Sequence, residues 1–164
     1  MKQISILLTK YSDWTSRLIH WMSGRGYTHS SIALEDSPER YFSFNHRGFT
    51  EETLEKHRRH GVRQSRCYQI QVSDEVYAAL ESRIQWFLTH RTRFRYSRFG
   101  VCCCLLHIPF RRKDQYFCSQ FVAELLADSG AVSLSRNPTL FQPNHFIELL
   151  EHQPCCVRIV ENVV

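Results

Sequence analysis

Lysine is scarce in this chain: only four of its 21 basic residues are lysines, and the rest are arginines. Arginine grips carboxylate and phosphate through a planar two-pronged fork that lysine lacks. A basic surface of this kind, on a chain of net charge +5, suits an anionic substrate, a nucleic acid, a membrane face or simply a solvated exterior. Glycine and proline are also scarce, at 6 and 5 residues, which excludes a collagen-like or loop-dominated chain. No apolar run approaches the roughly 18 residues that span a bilayer. The first such run, Ile4 to Leu8, is too short for a secretory signal and reads as a strand. The cysteines number 7, so at least one has no internal partner. Without a secretory signal they are expected to be mostly free thiols in a reducing cytoplasm.

What is present fits one globular domain over residues 1–164, with 43% hydrophobic residues and 23% charged. Residues 3–9 form an apolar strand by pattern. Residues 12–23 read as a helix capped by Ser12 or Asp13, with Trp14, Leu18 and Trp21 at helical spacing. Strands are expected at 28–35 and 40–45, with a turn at Asp36-Ser37-Pro38 between them. The polar stretch 51–66 reads as a solvated helix or a long loop. A strand at 67–72 precedes a helix capped by Ser73 or Asp74 and running to about His90, its inner face carrying Val76, Leu80, Ile84 and Phe87. Residues 91–117 look irregular. A helix then opens at Phe117 or Cys118 and closes on Gly130. Pro143 suits the first turn of a helix to Glu151, and 156–163 makes a last strand. The fold class implied is α+β around one antiparallel sheet packed against helices.

Cys118 stands out by its position in YFCSQFVAELL, at the start of an amphipathic helix. A helix N-terminus offers unpaired N–H groups and the positive end of the dipole. Both favour thiolate over thiol, and the same N–H groups can stabilise an oxyanion. A thiolate nucleophile needs an imidazole partner. His57, His60 and His90 lie in strongly polar surroundings and read as surface. His29 opens an apolar strand after a Gly-Arg-Gly turn, which places its ring at a sheet end. Each residue taken alone is more often structural, since most cysteines are small buried hydrophobes.

The pair carries a resemblance. SRLIHWMSGRGYTHSSIAL, followed much later by DQYFCSQFVAELL, resembles the circularly permuted branch of the NlpC-type papain-like cysteine enzymes. That branch includes the YiiX/YaeF-like bacterial proteins and the lecithin:retinol acyltransferase-like enzymes. The stretches Tyr27-Thr28-His29-Ser30-Ser31-Ile32 and Phe117-Cys118-Ser119-Gln120-Phe121-Val122 match the two motifs, and PNHFIELL resembles a further family segment. The resemblance implies a permuted papain-like fold, Cys118 as nucleophile and His29 as base and acid. The chain has Ser31 where family members often have glycine. The third residue, a polar group on the next strand that orients the imidazole, is less obvious. Counting along the paired strand favours Ser43 over Asn45 and Glu35.

Cys102, Cys103, Cys104 and His107 invite a metal reading, but three adjacent thiols cannot face one tetrahedral ion without strain. No metal and no cofactor are expected. Residues 91–99 interleave arginine with Phe94, Tyr96 and Phe99, a composition shared by single-stranded nucleic-acid grooves and by loops for anionic or lipidic substrates. The place just upstream of Cys118 favours the substrate loop, so nucleic acid is not an expected obligatory partner, while a membrane surface fits. Tyr11, Tyr96, Arg98 and Tyr116 are the candidate contacts to a small-molecule, lipid or peptide substrate. The expected activity is hydrolysis or acyl transfer through an acyl-enzyme. The rival is a binding module with a dead site that holds an anionic ligand, lipid or nucleic acid through its arginines.

Overall fold

A computed structural model describes residues 1–11, 26–35 and 39–164. The helix expected at 12–23 and the turn at Asp36-Ser37-Pro38 lie outside the described residues. The chain builds an antiparallel six-stranded sheet from β1 (Lys2–Lys10), β2 (His29–Leu34), β3 (Tyr41–Asn45), β4 (Gly48–Glu52), β5 (Gln64–Val72) and β8 (Cys156–Glu161). Their order across the sheet is β4-β3-β2-β1-β5-β8. Among the described residues five α-helices accompany it: α1 (Leu54–Arg59), α2 (Asp74–Thr89), α3 (Arg98–Leu105), α4 (Cys118–Asp128) and α5 (His145–Glu151). The two-residue strands β6 (Arg95–Tyr96) and β7 (Gln115–Tyr116) pair in parallel beside it. The α+β class and the antiparallel sheet are those the sequence implied.

Alternation along the strands sorts the apolar residues onto two faces. Ile4, Ile6, Leu8, Ile32, Phe44, Tyr68 and Ile70 point to the main core. There they meet Leu80, Ile84 and Phe87 of α2 and Phe121, Val122 and Leu125 of α4. In the first turn of α2 it is Tyr77 that is buried, while Val76 is half-buried. Leu7, Ala33, Tyr41 and Cys67 face the other way and are covered by Leu54 of α1 and by Val160 and Val163. The chain therefore crosses that second face between edge strand β4 and inner strand β5.

The pattern-based reading missed the hairpin of β3 and β4. FSFNHRGFT has only His46 and Arg47 between the paired residues Asn45 and Gly48, a two-residue hairpin loop. Asn45 Oδ1 accepts from the Arg47 amide at 2.9 Å. Gly48 has φ 100°, and a Cβ there would sit 2.5 Å from the Phe94 carbonyl oxygen. Only glycine serves at such a position. Residues 91–117, read as irregular, contain α3 and both short strands. Ser97 caps α3 by accepting from the Gly100 amide at 3.1 Å.

The start of β2 is fixed from three sides. The Thr28 amide donates to Thr9 O at 3.0 Å. Thr28 Oγ1 accepts from the Tyr11 amide at 3.0 Å. Asn144 Oδ1 accepts from the Tyr27 amide at 2.8 Å. A side chain at Gly26 would overlap that Asn144 amide. The segment PNHFIELL thus holds the entry to the histidine strand.

Phe44 is the hub of the core. It has no exposed surface, and its ring contacts those of Phe49, Phe87, Phe94, Tyr116 and Phe121. Removing such a ring loses transfer free energy and leaves a cavity. Phe44→Ala is expected to destabilise the protein by about 3–5 kcal/mol in urea titration; a loss under about 1 kcal/mol would mean that the core is not organised around this ring.

Candidate active site

The end of β4, the start of β2 and the start of α4 converge. His29 is the first residue of β2 and Cys118 the first of α4. Helix α4 follows Phe117, whose backbone is extended, and no side chain caps it. Its first turn bond runs from the Phe121 amide to Phe117 O, so the amides of Cys118, Ser119 and Gln120 precede the helical ladder. Cys118 is 6% exposed, His29 8% and Glu52 3%.

His29 Nε2 lies 2.7 Å from Glu52 Oε2, and the same ring hydrogen-bonds the Cys118 sulfur. Backbone amides of Ser30 and Ser119 also donate to that sulfur. Burial opposes the charge on His29, but the Glu52 carboxylate and the sulfur outweigh it and lift its pKa to about 10. Burial likewise pushes the Cys118 thiol up. The His29 hydrogen bond and charge, with the two amides, more than reverse this, so the thiol lies below its ordinary value. Burial would raise Glu52 as well, yet His29 holds it below the usual carboxylate range. The three groups form a thiol–imidazole–carboxylate array in which His29 and its two partners favour one another's charged forms.

A second histidine lies behind the first. His57 of α1 is wholly buried, because α1 lies over the second face of the sheet. Its Nε2 is 3.6 Å from Glu52 Oε2, and its Nδ1 shares a hydrogen bond of 2.6 Å with the Tyr11 hydroxyl. Burial drives its pKa down to about 4, Glu52 opposing and His29 assisting. His57 Nε2 faces the carboxylate without a hydrogen bond to it. The Tyr11 ring stands edge-on to both histidines, with centroids at 5.6 and 5.8 Å.

A cleft with about 310 Å³ of empty volume opens over Cys118. Tyr96, Val101, Cys104, Leu105, Phe117 and Pro143 form its apolar lining, and Thr28, Ser119 and Gln142 add polar groups.

Several sequence expectations change. Ser43 does not orient His29: its hydroxyl donates to Ser30 O at 2.7 Å within the sheet, and Glu52 occupies the orienting position. Glu35 accepts from the Gln3 amide and Asn45 from the Arg47 amide, so neither takes that role. Glu52 escaped notice because it fell in the polar stretch after an unrecognised hairpin. His57 reads as surface in its Lys-His-Arg-Arg-His setting, yet it is buried; helical position within α1, rather than local polarity, decides its direction. Of the substrate candidates, Tyr96 lines the cleft. Tyr11 packs on the histidines instead. Tyr116 turns into the aromatic core and borders a different cavity, with Arg83 and Glu124. Arg98 is exposed on α3 and is not among the cleft-lining residues. Cys102 faces solvent while Cys103 and Cys104 are buried, so these thiols diverge.

No family model matches the chain, and no curated protein matches it.

With limiting iodoacetamide near neutral pH, Cys118 is expected to alkylate before the other cysteines, with a pH midpoint below that of an ordinary thiol. Glu52→Gln is expected to raise that midpoint by on the order of one unit, since the imidazolium loses its counter-charge; an unchanged midpoint would separate Glu52 from the pair. Acid stability reports on His57. Its folded pKa of about 4 lies below its ordinary 6.5, so the unfolded chain binds the extra proton and stability falls as pH drops through that window. His57→Asn is expected to flatten this slope in urea titrations at successive pH values.

Proposed function

We propose that this chain is a cysteine-dependent hydrolase or acyltransferase with Cys118 as nucleophile, on a permuted papain-like fold of the NlpC type. The observation that carries the reading is the Cys118–His29–Glu52 array, whose members lie at a helix start, a strand start and a strand end. A buried carboxylate on the far side of a histidine from a thiol at a helix N-terminus is what thiol acyl chemistry needs. The order of the site residues, His29 well before Cys118, agrees with the permuted branch. Glu52 lies on β4, two strands from β2 in the sheet, whereas the resemblance placed the third residue on the next strand.

The Cys118 thiolate attacks the carbonyl carbon of an amide, ester or thioester, forming a C–S bond and a tetrahedral oxyanion. The Cys118 backbone N–H, outside the helical ladder, is the oxyanion donor nearest the reacting bond. The oxyanion collapses, the bond to the leaving group breaks, and the His29 imidazolium gives its proton to the departing nitrogen, oxygen or sulfur. Neutral His29 then takes a proton from water, an alcohol or an amine as it attacks the thioester. Breaking the C–S bond restores the ion pair. Glu52 fixes the ring and supports its charge throughout. The cleft lining suits an apolar acyl group next to the sulfur.

The test is intact mass after incubation with short and medium-chain p-nitrophenyl esters, thioesters and peptide amides. An added acyl mass mapped to Cys118, absent in Cys118→Ala, is the expected outcome. Glu52→Gln is expected to lower turnover by about 10²- to 10⁴-fold, the range lost when base orientation fails. A protein whose Cys118 alkylates readily but takes no acyl group from any donor is instead a binding module on the same fold.

A further inference from the structure

Helix α3 divides its residues three ways. Gly100, Cys103 and Cys104 are buried against the domain. Val101 and Leu105 line the cleft above Cys118. Phe99, Cys102 and Leu106, spaced along one helical face, point to solvent. Phe99 is 64% exposed, Leu106 62% and Ile108 53%. These are costly exposures for large apolar side chains when clustered. The loop after α3 is folded back onto it: the Ile108 amide donates to Cys103 O at 2.8 Å, and the Phe110 ring packs edge-on to Phe99 with centroids 4.8 Å apart. The apolar side chains therefore stand as a fixed projection.

The surround is cationic. Residues 91–113 contain six arginines and one lysine, with no aspartate or glutamate. Arg93 pairs with Asp114 at 2.8 Å and Arg111 with Glu124 at 3.0 Å. Arg95, Arg98, Arg112 and Lys113 are exposed, with no ion-pair partner among the described residues. A projecting apolar group on a segment flanked in sequence by exposed, unneutralised cations is complementary to a bilayer bearing anionic headgroups, where the apolar part enters the acyl boundary and the cations meet phosphate and carboxylate. A single-stranded nucleic acid would need exposed aromatic platforms. Of the interleaved aromatics, Phe94 is buried and Tyr96 is turned into the cleft; Phe99 alone of the three projects, edge-on to Phe110 and beside the aliphatic Leu106 and Ile108, so the patch presents no row of open ring faces.

We propose that α3 and the loop through Lys113 dock the protein on an anionic lipid surface, which places the mouth of the Cys118 cleft beside the bilayer. The docking does not depend on the chemistry assigned to Cys118. The test is co-sedimentation of the full chain with vesicles of phosphatidylcholine alone and of equimolar phosphatidylcholine and phosphatidylserine. Strong binding to the anionic vesicles, weakening as salt rises, is expected. Leu106→Ser/Ile108→Ser is expected to lose at least about tenfold in partitioning, and Arg98→Gln/Arg112→Gln to flatten the salt dependence, while Cys118 alkylation stays unchanged in both. If the apolar double variant fails to alkylate normally, Ile108→Asp alone, at an exposed loop position, is read in its place. Absent binding to anionic vesicles, binding indifferent to these substitutions, or binding of a single-stranded oligonucleotide without vesicle binding would overturn the proposal, and none of these would touch the thiol reading.

Discussion

The buried contact between Glu52 and His29 is the constraint around which the described structure is arranged. Taking a carboxylate out of water costs several kcal/mol, and Glu52 is almost wholly enclosed. The cost is met only if an imidazolium stays within hydrogen-bond distance and a further ring nitrogen faces the carboxylate. That requires the ends of two strands separated in the sheet by β3 to approach through their side chains. It also requires α1 to lie across the second face so that His57 comes up behind the carboxylate. Tyr11, just after β1, then has a role at both histidines: its hydroxyl hydrogen-bonds His57 Nδ1, and its ring packs edge-on to both.

Helix α4 joins this arrangement through charge rather than through packing alone. Its apolar residues bury against β2 and β3, as any amphipathic helix would. Its first residue, however, puts sulfur against the His29 imidazole, whose charged form the Glu52 carboxylate favours. The Ser30 amide, on the strand beside His29, contributes to the same sulfur. Nucleophile and base are thus linked by the backbone of β2 as well as by their side chains, which restricts how far they can drift apart.

Much of this was legible in the residues. Cys118 at a helix start and His29 at a strand start follow from local patterns, because helix capping and strand alternation are local signals. The core of α2 and α4 was likewise readable from helical spacing. Glu52 and His57 were not. Both lie in a run of charged residues, and the polarity of a run says nothing about which of its members a sheet crossing will bury. The hairpin at Asn45–Gly48 was hidden because its loop, His46-Arg47, lacks the usual turn residues; the glycine that permits it follows the loop. Ser43 was a reasonable count along the paired strand, but its hydroxyl finds the Ser30 carbonyl within the sheet and is used up there.

Cys104 shares the cleft with Cys118, and its surroundings act on it in the opposite sense. Burial, with the neighbouring sulfurs Cys118 and Cys103, pushes its thiol up to about 12. It stays protonated where Cys118 is ionised. The two sulfurs therefore differ sharply toward peroxide: the ionised one is open to oxidation to a sulfenic acid, while its neighbour is a poor nucleophile for condensing with that product. A protein with a reactive thiol and an ionised companion can protect itself as an internal disulfide. Here burial holds the companion neutral, which makes Cys104 a poor partner for such a disulfide.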